Sequence, residues 1–307
     1  MSNILVIKHG ALGDMVQISG ALKDIRNAHP EDNIILLTSS PYKKLFEACP
    51  YIDDLLIDNR ESFFKIAVLL KLRKAIKGYK FSAVYDLQNS YRTESYRKYM
   101  FYAPNWSSIV TVLQGSETKE WFKEIGAIER MDTQLKRSGL ETKFTKTPDF
   151  SWAVDMDFEL DKKIRKNYIY IAPFASANGA AKTWPYFRDL IKKLEQEFPH
   201  LDVVSTPGPS EIEDSKKIGG VAQLYNGKAI DIRQMAKVIK GAKFVISNDT
   251  GPAHIAAHLG CKGLVLFGSH TTPEKTSIET QNFKALSVKD LRDLEVEEVY
   301  RRVKAEL

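Results

Sequence analysis

The chain has 307 residues, of which 43% are hydrophobic and 27% charged, a balance typical of a folded globular protein. A single hydrophobic core rarely organises so many residues, so two domains are expected. No apolar run is long enough to cross a bilayer and a lysine stands too early for a secretory signal, which predicts a cytoplasmic protein. The net charge of +6 indicates an acidic partner, such as nucleic acid, anionic lipid or a phosphorylated substrate. The two cysteines lie far apart with no C-x-x-C pattern, so neither a disulfide framework nor a zinc site is suggested.

The first half of the sequence alternates short apolar runs with helical patterns. Strands are predicted at 3–8, 33–38, 54–58, 81–86 and 107–112. Helical spacing of apolar residues is found over 14–28, 41–48 and 62–78. This alternation is typical of a parallel sheet with helices on both of its faces.

The alternation stops at a polar segment, about 140–165, which is predicted to be an interdomain linker, and then it begins again. The later strands are predicted at 168–173, 202–207, 222–226, 243–247 and 263–268, with helices near 185–197, 210–219, 231–240 and 251–259. We therefore expect an α/β protein of two Rossmann-like domains whose parallel sheets face a central cleft. The expected bounds are 1–155 and 165–285, with a terminal helix in 286–307 that packs back across the domains.

The loop after the predicted strand 243–247 carries the sequence NDTGPAH. Gly251 and Pro252 suit the start of a helix, whose exposed N–H groups and dipole favour phosphate. Thr250 adds a hydroxyl, and His254 lies one turn into the helix. The alternative is structural: Asp249 or Thr250 only caps the helix, and His254 is an ordinary half-buried residue.

The loop KHGALGD (8–14) also joins a predicted strand to a helix. Its glycines do not have the spacing of a dinucleotide fingerprint, and no acidic residue ends the second strand. Asp14 stands at the mouth of this loop, and an aspartate, ordinarily ionised at neutral pH, can accept a proton from a hydroxyl group. Its alternative role is that of a helix N-cap.

Two further loops of the second half carry candidate ligand-binding residues. The loop 173–185 is rich in small residues and contains Lys182, whose point charge suits phosphate; the alternative is a flexible loop with a solvated lysine. The loop 205–217 offers Glu211 and Glu213, which can accept hydrogen bonds from ribose hydroxyls or simply favour a helix N-terminus.

Together these loops resemble those of the ADP-heptose:lipopolysaccharide heptosyltransferases of glycosyltransferase family 9. The similar stretches are ILVIKHGALGDMVQISGALKDIR, AVYDLQNSYRTE, APFASANGAAKTWP and, most specifically, ISNDTGPAHIAAHLGCKGLVLFG. The resemblance implies a GT-B fold with the acceptor site in the amino-terminal domain and the donor site in the carboxyl-terminal one. It also implies inverting transfer of a heptose, or a related sugar, from an ADP-sugar to a lipopolysaccharide core-type acceptor, with no bound cofactor or metal.

The resemblance also implies roles for individual residues. Asp14 would be the general base, and Lys182 would neutralise charge on the diphosphate leaving group. The implied donor-binding residues are Ser176, Glu211, Asp249, Thr250, Gly251 and His254. The implied acceptor-binding residues are Gly13, Gln88 and Arg92. The chain departs from the family at Asn89, where glycine is common.

Several alternatives remain open at this point. The chain could use another nucleotide sugar or a non-lipid acceptor, or it could bind a sugar nucleotide without catalysis. Nucleic acid is not expected as a partner, since only the charge suggests it and no recognition motif is visible.

The basic segments 63–80 and 91–106 suit an anionic membrane surface, so a peripheral position at the inner face of the inner membrane is expected. Their simpler interpretation is a sheet-covering helix and an amphipathic helix that buries Tyr96 and Met100.

Overall fold

A computed structural model describes residues 1–62, 64–175 and 182–307 of the chain. These residues form two units, Met1–Trp152 and Ala153–Leu307. Each unit is built on one β-sheet in which every pair of neighbouring strands is parallel. The parallel sheets predicted from the alternation of strands and helices are therefore confirmed.

The sheet of the first unit has five strands. They are β1 (Asn3–Ile7), β2 (Asn33–Thr38), β3 (Asp54–Ile57), β4 (Phe81–Asp86) and β5 (Asn105–Ser107). Their order across the sheet is β3-β2-β1-β4-β5. The side chains of β1 and β2 are buried at every position after the first, which explains their unbroken runs of isoleucine, leucine and valine.

Seven α-helices lie in the described part of the first unit. They are α1 (Leu12–Ala28), α2 (Lys43–Phe46), α3 (Ile66–Tyr79), α4 (Tyr91–Ser95), α5 (Ile109–Val112), α6 (Lys119–Glu124) and α7 (Ala127–Arg137). A π-helical turn, Tyr96–Met100, continues α4. Tyr96 and Met100 are buried in the core beside β4, so the packing that the amphipathic pattern predicted for them is confirmed.

The strand predicted at 107–112 is wrong for most of its length. β5 ends at Ser107, and α5 occupies Ile109–Val112. The backbone N–H of Ser108 donates to the hydroxyl of Thr111 at 2.9 Å, while the N–H of Thr111 donates to the carbonyl of Ser108. Such local bonds of serine and threonine favour a helical turn, and here they outweigh the strand preference of isoleucine and valine.

The sheet of the second unit has six strands. They are β6 (Tyr168–Ala172), β7 (Asp202–Ser205), β8 (Val221–Ala222), β9 (Phe244–Asn248), β10 (Gly263–Phe267) and β11 (Phe283–Ser287). Their order is β11-β10-β9-β6-β7-β8. β8 is shorter than the strand predicted at 222–226. β11 was not predicted, because its exposed Lys284 and Ser287 leave only a weak apolar pattern at the sheet edge.

The helices of the second unit are α8 (Phe187–Glu197), α9 (Ile212–Ile218), α10 (Ile232–Gly241), α11 (Gly251–His258), α12 (Pro273–Thr276) and α13 (Val296–Glu306). The terminal helix α13 packs on α8, and its buried Val299, Tyr300 and Val303 belong to the hydrophobic core of the second unit. The expectation that 286–307 also packs across the first unit stays a prediction.

A buried carboxylate on α1 holds the chain segment that follows α7. Asp24 accepts hydrogen bonds from the backbone N–H groups of Lys143, Phe144 and Thr145, and from the hydroxyl of Thr145. One turn earlier on α1, Gly20 lies against the backbone of Phe144. The first residues of the predicted linker are thus part of the first unit.

Each unit contains one buried, unpaired cysteine thiol, Cys49 in the first and Cys261 in the second. Burial raises the pKa of Cys49 to about 12 and that of Cys261 to about 11. Both thiols therefore stay protonated at neutral pH, as expected for cysteines with a packing role.

Candidate active site

The most specific motif of the sequence lies where β9 ends and α11 begins. Asp249 follows the last strand residue directly, and only 3% of it is exposed. Thr250 is the N-cap residue of α11, with an extended backbone. Gly251 is the first helical residue and Pro252 the second, so the predicted helix start at these two residues is confirmed.

Asp249 is the centre of a cluster of nitrogen-bearing side chains. Its Oδ2 atom lies 2.9 Å from Nζ of Lys182 and 3.0 Å from Nε2 of His270. Nε2 of His254 lies 4.0 Å from the other oxygen, Oδ1. The carboxylate fixes the lysine and the two imidazoles beside the amino end of α11, where N–H groups and positive dipole favour an anion.

The structure thus brings together four predicted donor-binding or catalytic residues and the helix start. Lys182, Asp249, Thr250 and His254 belong to one cluster, with Gly251 as the first residue of α11. Ser176, also predicted to bind the donor, lies outside the described residues.

Glu211 lies on a separate loop, after β7 and immediately before α9. One of its oxygens, Oε2, accepts a hydrogen bond from the backbone N–H of Gly208 at 2.7 Å. This bond shapes the turn that precedes α9. It leaves the second carboxylate oxygen available in this local geometry, so a ribose contact stays a prediction.

His270 is a member of the Asp249 cluster that sequence reasoning missed. It follows β10 in the segment GSHTTPEKT, and its ring stacks on that of Phe267 with an interplanar angle of 7°. Its Nδ1 atom is buried without a hydrogen-bond partner among the described residues. The available signal was its position, since polar residues after a parallel strand lie at the same sheet edge as those after β9.

In the first unit, Asp14 lies in the first turn of α1. Its Oδ1 atom accepts a hydrogen bond from Nζ of Lys8 at 3.1 Å, and its Oδ2 atom accepts one from the backbone N–H of Ala11 at 3.0 Å. The N-cap position itself is occupied by Ala11, so Asp14 is not the N-cap residue. Its side chain is 41% exposed, which leaves it accessible to a substrate.

Three further side chains, Lys8, Arg130 and Tyr42, lie near Asp14. Nζ of Lys8 also donates to the carbonyl of Leu87, which ties the loop to the end of β4. Burial lowers the pKa of Arg130, while the charge of Asp14 acts in the opposite direction. Burial raises the pKa of Tyr42, and Asp14 adds to that increase. The charge of Asp14 therefore interacts with Lys8, Arg130 and Tyr42. No sequence pattern had singled out these three residues.

Arg92, a predicted acceptor-binding residue, takes part in an internal ion pair. Its guanidinium lies 3.0 Å from Asp58, which also lies 3.1 Å from Nε2 of His9 and accepts a hydrogen bond from Tyr96. Burial alone raises the pKa of Asp58, but the hydrogen bonds from His9, Tyr96 and Arg92 outweigh it and hold the pKa well below its ordinary value. The ion pair with Asp58 therefore already fixes the Arg92 side chain before any contact with an acceptor.

The turn after β4 contains Gln88, another predicted acceptor-binding residue. The side-chain oxygen of Gln88 accepts a hydrogen bond from the backbone N–H of His9 at 2.9 Å. Asn89 adopts a left-handed backbone with φ of 51°. Its side chain donates to Gln134 and accepts from the N–H of Ile109. Asparagine tolerates this left-handed backbone better than most residues other than glycine do.

Asp86, the last residue of β4, has a structural role in this turn. Asp86 is fully buried and accepts hydrogen bonds from the N–H groups of Gln88 and Asn89. Burial raises its pKa to about 6. Gly13, predicted to bind the acceptor, is the second residue of α1 and is itself buried. A contact between Gly13 and an acceptor stays a prediction.

The two parallel α/β sheets have the GT-B fold. The heptosyltransferase WaaC of E. coli, solved with ADP-2-deoxy-2-fluoro heptose, has the same fold, with a TM-score of 0.78, 19% identity, and coverage of 99% of this chain and 100% of that one. Residues 124–301 match the family described as glycosyltransferase family 9 (heptosyltransferase). This match spans more than half of the chain, and the chain belongs to that family.

Two similar sequences extend over most of the chain. A putative glycosyltransferase of Haemophilus influenzae is 25% identical over 284 residues, which cover 84% of this chain and 80% of that protein. Lipopolysaccharide heptosyltransferase 1 of Campylobacter coli is 22% identical over 304 residues, which cover 90% of this chain and 87% of that protein. The resemblance to family 9 that the motifs indicated is therefore confirmed.

Proposed function

We propose that this protein transfers a heptose, or a closely related sugar, from an ADP-sugar to a lipopolysaccharide core-type acceptor, with inversion at the anomeric carbon. The enzyme would act in lipopolysaccharide biosynthesis, in the cytoplasm at the inner face of the inner membrane. The observation that carries the proposal is the cluster at Asp249, where Lys182 and His270 lie within 3.0 Å of one buried carboxylate beside the start of α11.

The donor half of the proposal follows from the charges of this cluster. A nucleotide diphosphate leaving group gains negative charge as its bond to the sugar breaks, and fixed positive groups and N–H dipoles stabilise that charge. Lys182 and the amino end of α11 supply them, while the buried Asp249 orients Lys182. WaaC, which has the same fold, has been solved with ADP-2-deoxy-2-fluoro heptose and with ADP. These complexes support ADP-heptose as the donor.

The acceptor half depends on Asp14. Its carboxylate would accept the proton of the acceptor hydroxyl as the hydroxyl oxygen attacks the anomeric carbon. The bond between that carbon and the diphosphate oxygen breaks in the same displacement, and ADP leaves with the bonding electron pair. Asp14 needs no bound cofactor for this step, and Lys8 holds its carboxylate in place at 3.1 Å.

The first test is thermal stabilisation of the purified protein by ADP, UDP, GDP, CMP and NAD. A ligand at about 100 times its dissociation constant adds roughly 2.7 kcal/mol to the free energy of unfolding, which shifts the melting temperature measurably. We expect selective stabilisation by ADP. Lys182→Ala and Asp249→Ala should abolish it, whereas Lys163→Ala, on an exposed position of the same unit, should leave it unchanged.

Other outcomes of this test would change the proposal in defined ways. Selective stabilisation by UDP or GDP would contradict the ADP-sugar donor and favour another nucleotide sugar within the family. Stabilisation by no nucleotide would contradict a donor site at Asp249. If ADP stabilises the protein, release of ADP from ADP-heptose in the presence of truncated lipopolysaccharide then tests transfer, and a protein that binds without turnover would be a non-catalytic member of the family.

A further inference from the structure

The exposed apolar side chains of this protein are concentrated in two neighbouring segments of the first unit. Among the described residues, twelve large apolar side chains are exposed, and seven of them lie within 64–70 and 91–102. These seven are Phe64, Ile66, Val68, Leu70, Tyr91, Tyr99 and Tyr102. Contiguous exposed apolar patches mark interaction sites far more often than isolated exposed residues do.

The helix α3 has two apolar sides, and only one of them packs on the sheet. Leu72 and Ile76 are buried in the core of the first unit. Ile66 and Leu70 are 65% and 56% exposed, and they share one helix face with Arg73 and Lys77, at the spacing i, i+4, i+7 and i+11. Packing against the sheet explains the first side. On the second side, Arg73 donates a hydrogen bond to the carbonyl of Met100, while the apolar side chains of Ile66 and Leu70 stay exposed.

This second side borders a groove against α4 and the π-helical turn. The groove has a volume of about 360 Å³, and its walls include Ile66, Leu70, Tyr91 and Tyr99. A second groove of about 660 Å³ continues from it and shares Arg73 and Tyr99 with the first. Among the residues that line the second groove, five are cationic: Arg73, Lys77, Lys80, Arg97 and Lys98. The apolar groove thus adjoins one that combines apolar walls with a cluster of positive charge.

The charge of these segments is one-sided. Residues 64–80 and 91–104 contain nine lysines and arginines and a single acidic residue, Glu94. Their surplus of positive charge exceeds the +6 of the whole chain, so the rest of the protein is net negative. Arg97 and Lys98 pair with Glu94. No carboxylate in the described part of the chain pairs with the lysines of α3 and its end: Lys71, Lys74, Lys77 and Lys80.

We propose that the α3–α4 face, the exposed side chains of residues 64–80 and 91–104, docks on the surface of an anionic phospholipid bilayer. The exposed aliphatic and aromatic side chains enter the boundary between headgroups and acyl chains, and the lysines meet the lipid phosphates. Charge complementarity selects this occupant, because a bilayer surface offers anionic groups and apolar matter over the same area. Tyrosines, with an apolar ring and a polar hydroxyl, are suited to that boundary.

The association is peripheral. No helix within the described residues is long and apolar enough to cross a bilayer. Each lysine or arginine near an anionic surface contributes about a fivefold gain in affinity, so several such lysines together give firm but salt-sensitive binding. This inference rests on the proposed action at a membrane, but vesicle binding and nucleotide binding are measured independently.

The test is co-sedimentation of the full-length protein with vesicles of phosphatidylcholine alone or mixed with phosphatidylglycerol. We expect binding to the anionic vesicles only, weakened by added salt. The triple variant Lys71→Glu, Lys74→Glu, Lys77→Glu should lower the affinity by at least about 100-fold. The matched variant Lys162→Glu, Lys163→Glu, Lys166→Glu, which reverses three exposed lysines of the second unit, should bind like the unchanged protein.

The apolar contribution is tested by Ile66→Ser, Leu70→Ser, Tyr99→Ser, which should weaken binding to anionic vesicles even at low salt. Unchanged stabilisation of each variant by ADP would show that it is folded and that the nucleotide site is separate. Binding of the unchanged protein to neither vesicle, or equal binding by the lysine variant, would overturn the proposal. A dimer in solution that the apolar variant abolishes, without vesicle binding, would also overturn it and assign the face to a second copy of the chain.

Discussion

Individual residues of this protein combine structural and chemical roles, and Asp14 is the clearest case. Its carboxylate bonds to the backbone N–H of Ala11 and to Lys8, yet 41% of the side chain is exposed. The first contacts fix its position in the first turn of α1. The exposure leaves the carboxylate available to an acceptor hydroxyl.

Asp14→Asn separates these roles. The amide oxygen of asparagine can still accept from Ala11, so α1 should begin as before, but the amide cannot accept a proton from a hydroxyl. We expect the transfer rate to fall by about 10²–10⁴, the usual contribution of a general base, with the ADP-induced shift in melting temperature unchanged. Glu31→Gln, an exposed carboxylate of the same unit, is the control. Near-normal turnover in Asp14→Asn would assign the base to another residue.

A second prediction at this scale concerns His258, on the buried side of α11. Burial lowers its pKa to about 3, and the charge of His254 lowers it as well. Because the unfolded histidine has a pKa of about 6.5, its contribution to stability is complete above that pH and is lost as the pH falls towards 3. The loss at about pH 5 is on the order of 2 kcal/mol.

Urea unfolding at pH 7 and pH 5 tests this expectation. His258→Phe cannot gain a proton, so it should lose less stability between the two pH values than the unchanged protein. His200→Phe, a substitution of an exposed histidine in the same unit, should not alter the acid loss. An equal loss in His258→Phe and in the unchanged protein would show that other groups cause it.

The sequence pointed to candidate site residues near strand ends, but it gave no sign of side chains that meet through distant contacts. Asp14 and Asp249 stand out because each closely follows an apolar run and lies near the start of a predicted helix. His9, Asp58 and Arg92 meet only in the folded unit, since His9 follows β1, Asp58 follows β3 and Arg92 lies on α4. Pairing of that kind has no local pattern, so the ion pair that fixes Arg92 required a structure.

At the scale of elements, the close packing of α1 depends on a small residue. A β-carbon at Gly20 would lie 2.1 Å from the carbonyl oxygen of Phe144, in the segment that Asp24 holds through its N–H groups. A backbone carbonyl group cannot rotate out of the way as a flexible side chain can. The helix and the segment can therefore approach this closely only with glycine at position 20.

Gly20→Ala should destabilise the first unit by about 1–3 kcal/mol, because the helix or the segment must move. Gly78→Ala is a matched control, since Gly78 is also helical and its β-carbon would meet no atom within 4 Å. It should be neutral or stabilise the protein by up to about 1 kcal/mol, as alanine is the better helix former. Urea unfolding of both variants measures the difference, and equal effects would contradict close packing at Gly20.

Elements with strong apolar periodicity were predicted well, and edge elements were not. β1, β2 and β9 are almost wholly buried, so their sequences are continuous apolar runs. β11 lies at a sheet edge, where Lys284 and Ser287 are exposed, so its apolar pattern is weak. α5 contains β-branched residues, but the local bonds between Ser108 and Thr111 favour a helical turn there.

At the scale of the whole molecule, the alternation of strands and helices was sufficient to predict two parallel α/β units. The particular sugar and acceptor are harder to predict from such a pattern. Discrimination between related substrates depends on a few contacts, each worth about 1–3 kcal/mol, and strand and helix periodicity carries no information about them. The motif at 247–260 indicated the family because it specifies the geometry of a loop, residue by residue.

Because each unit contains one buried cysteine, the reactivity of that thiol reports local unfolding of its own unit. A thiol-specific reagent reacts with the exposed thiolate, and both thiols are buried and protonated in the folded chain. Modification at Cys49 therefore records exposure in the first unit, and modification at Cys261 records exposure in the second. Mass spectrometry of labelled peptides can follow the labelling rates of both cysteines in the wild-type protein. Adding ADP to this experiment would show which unit the nucleotide protects from local unfolding.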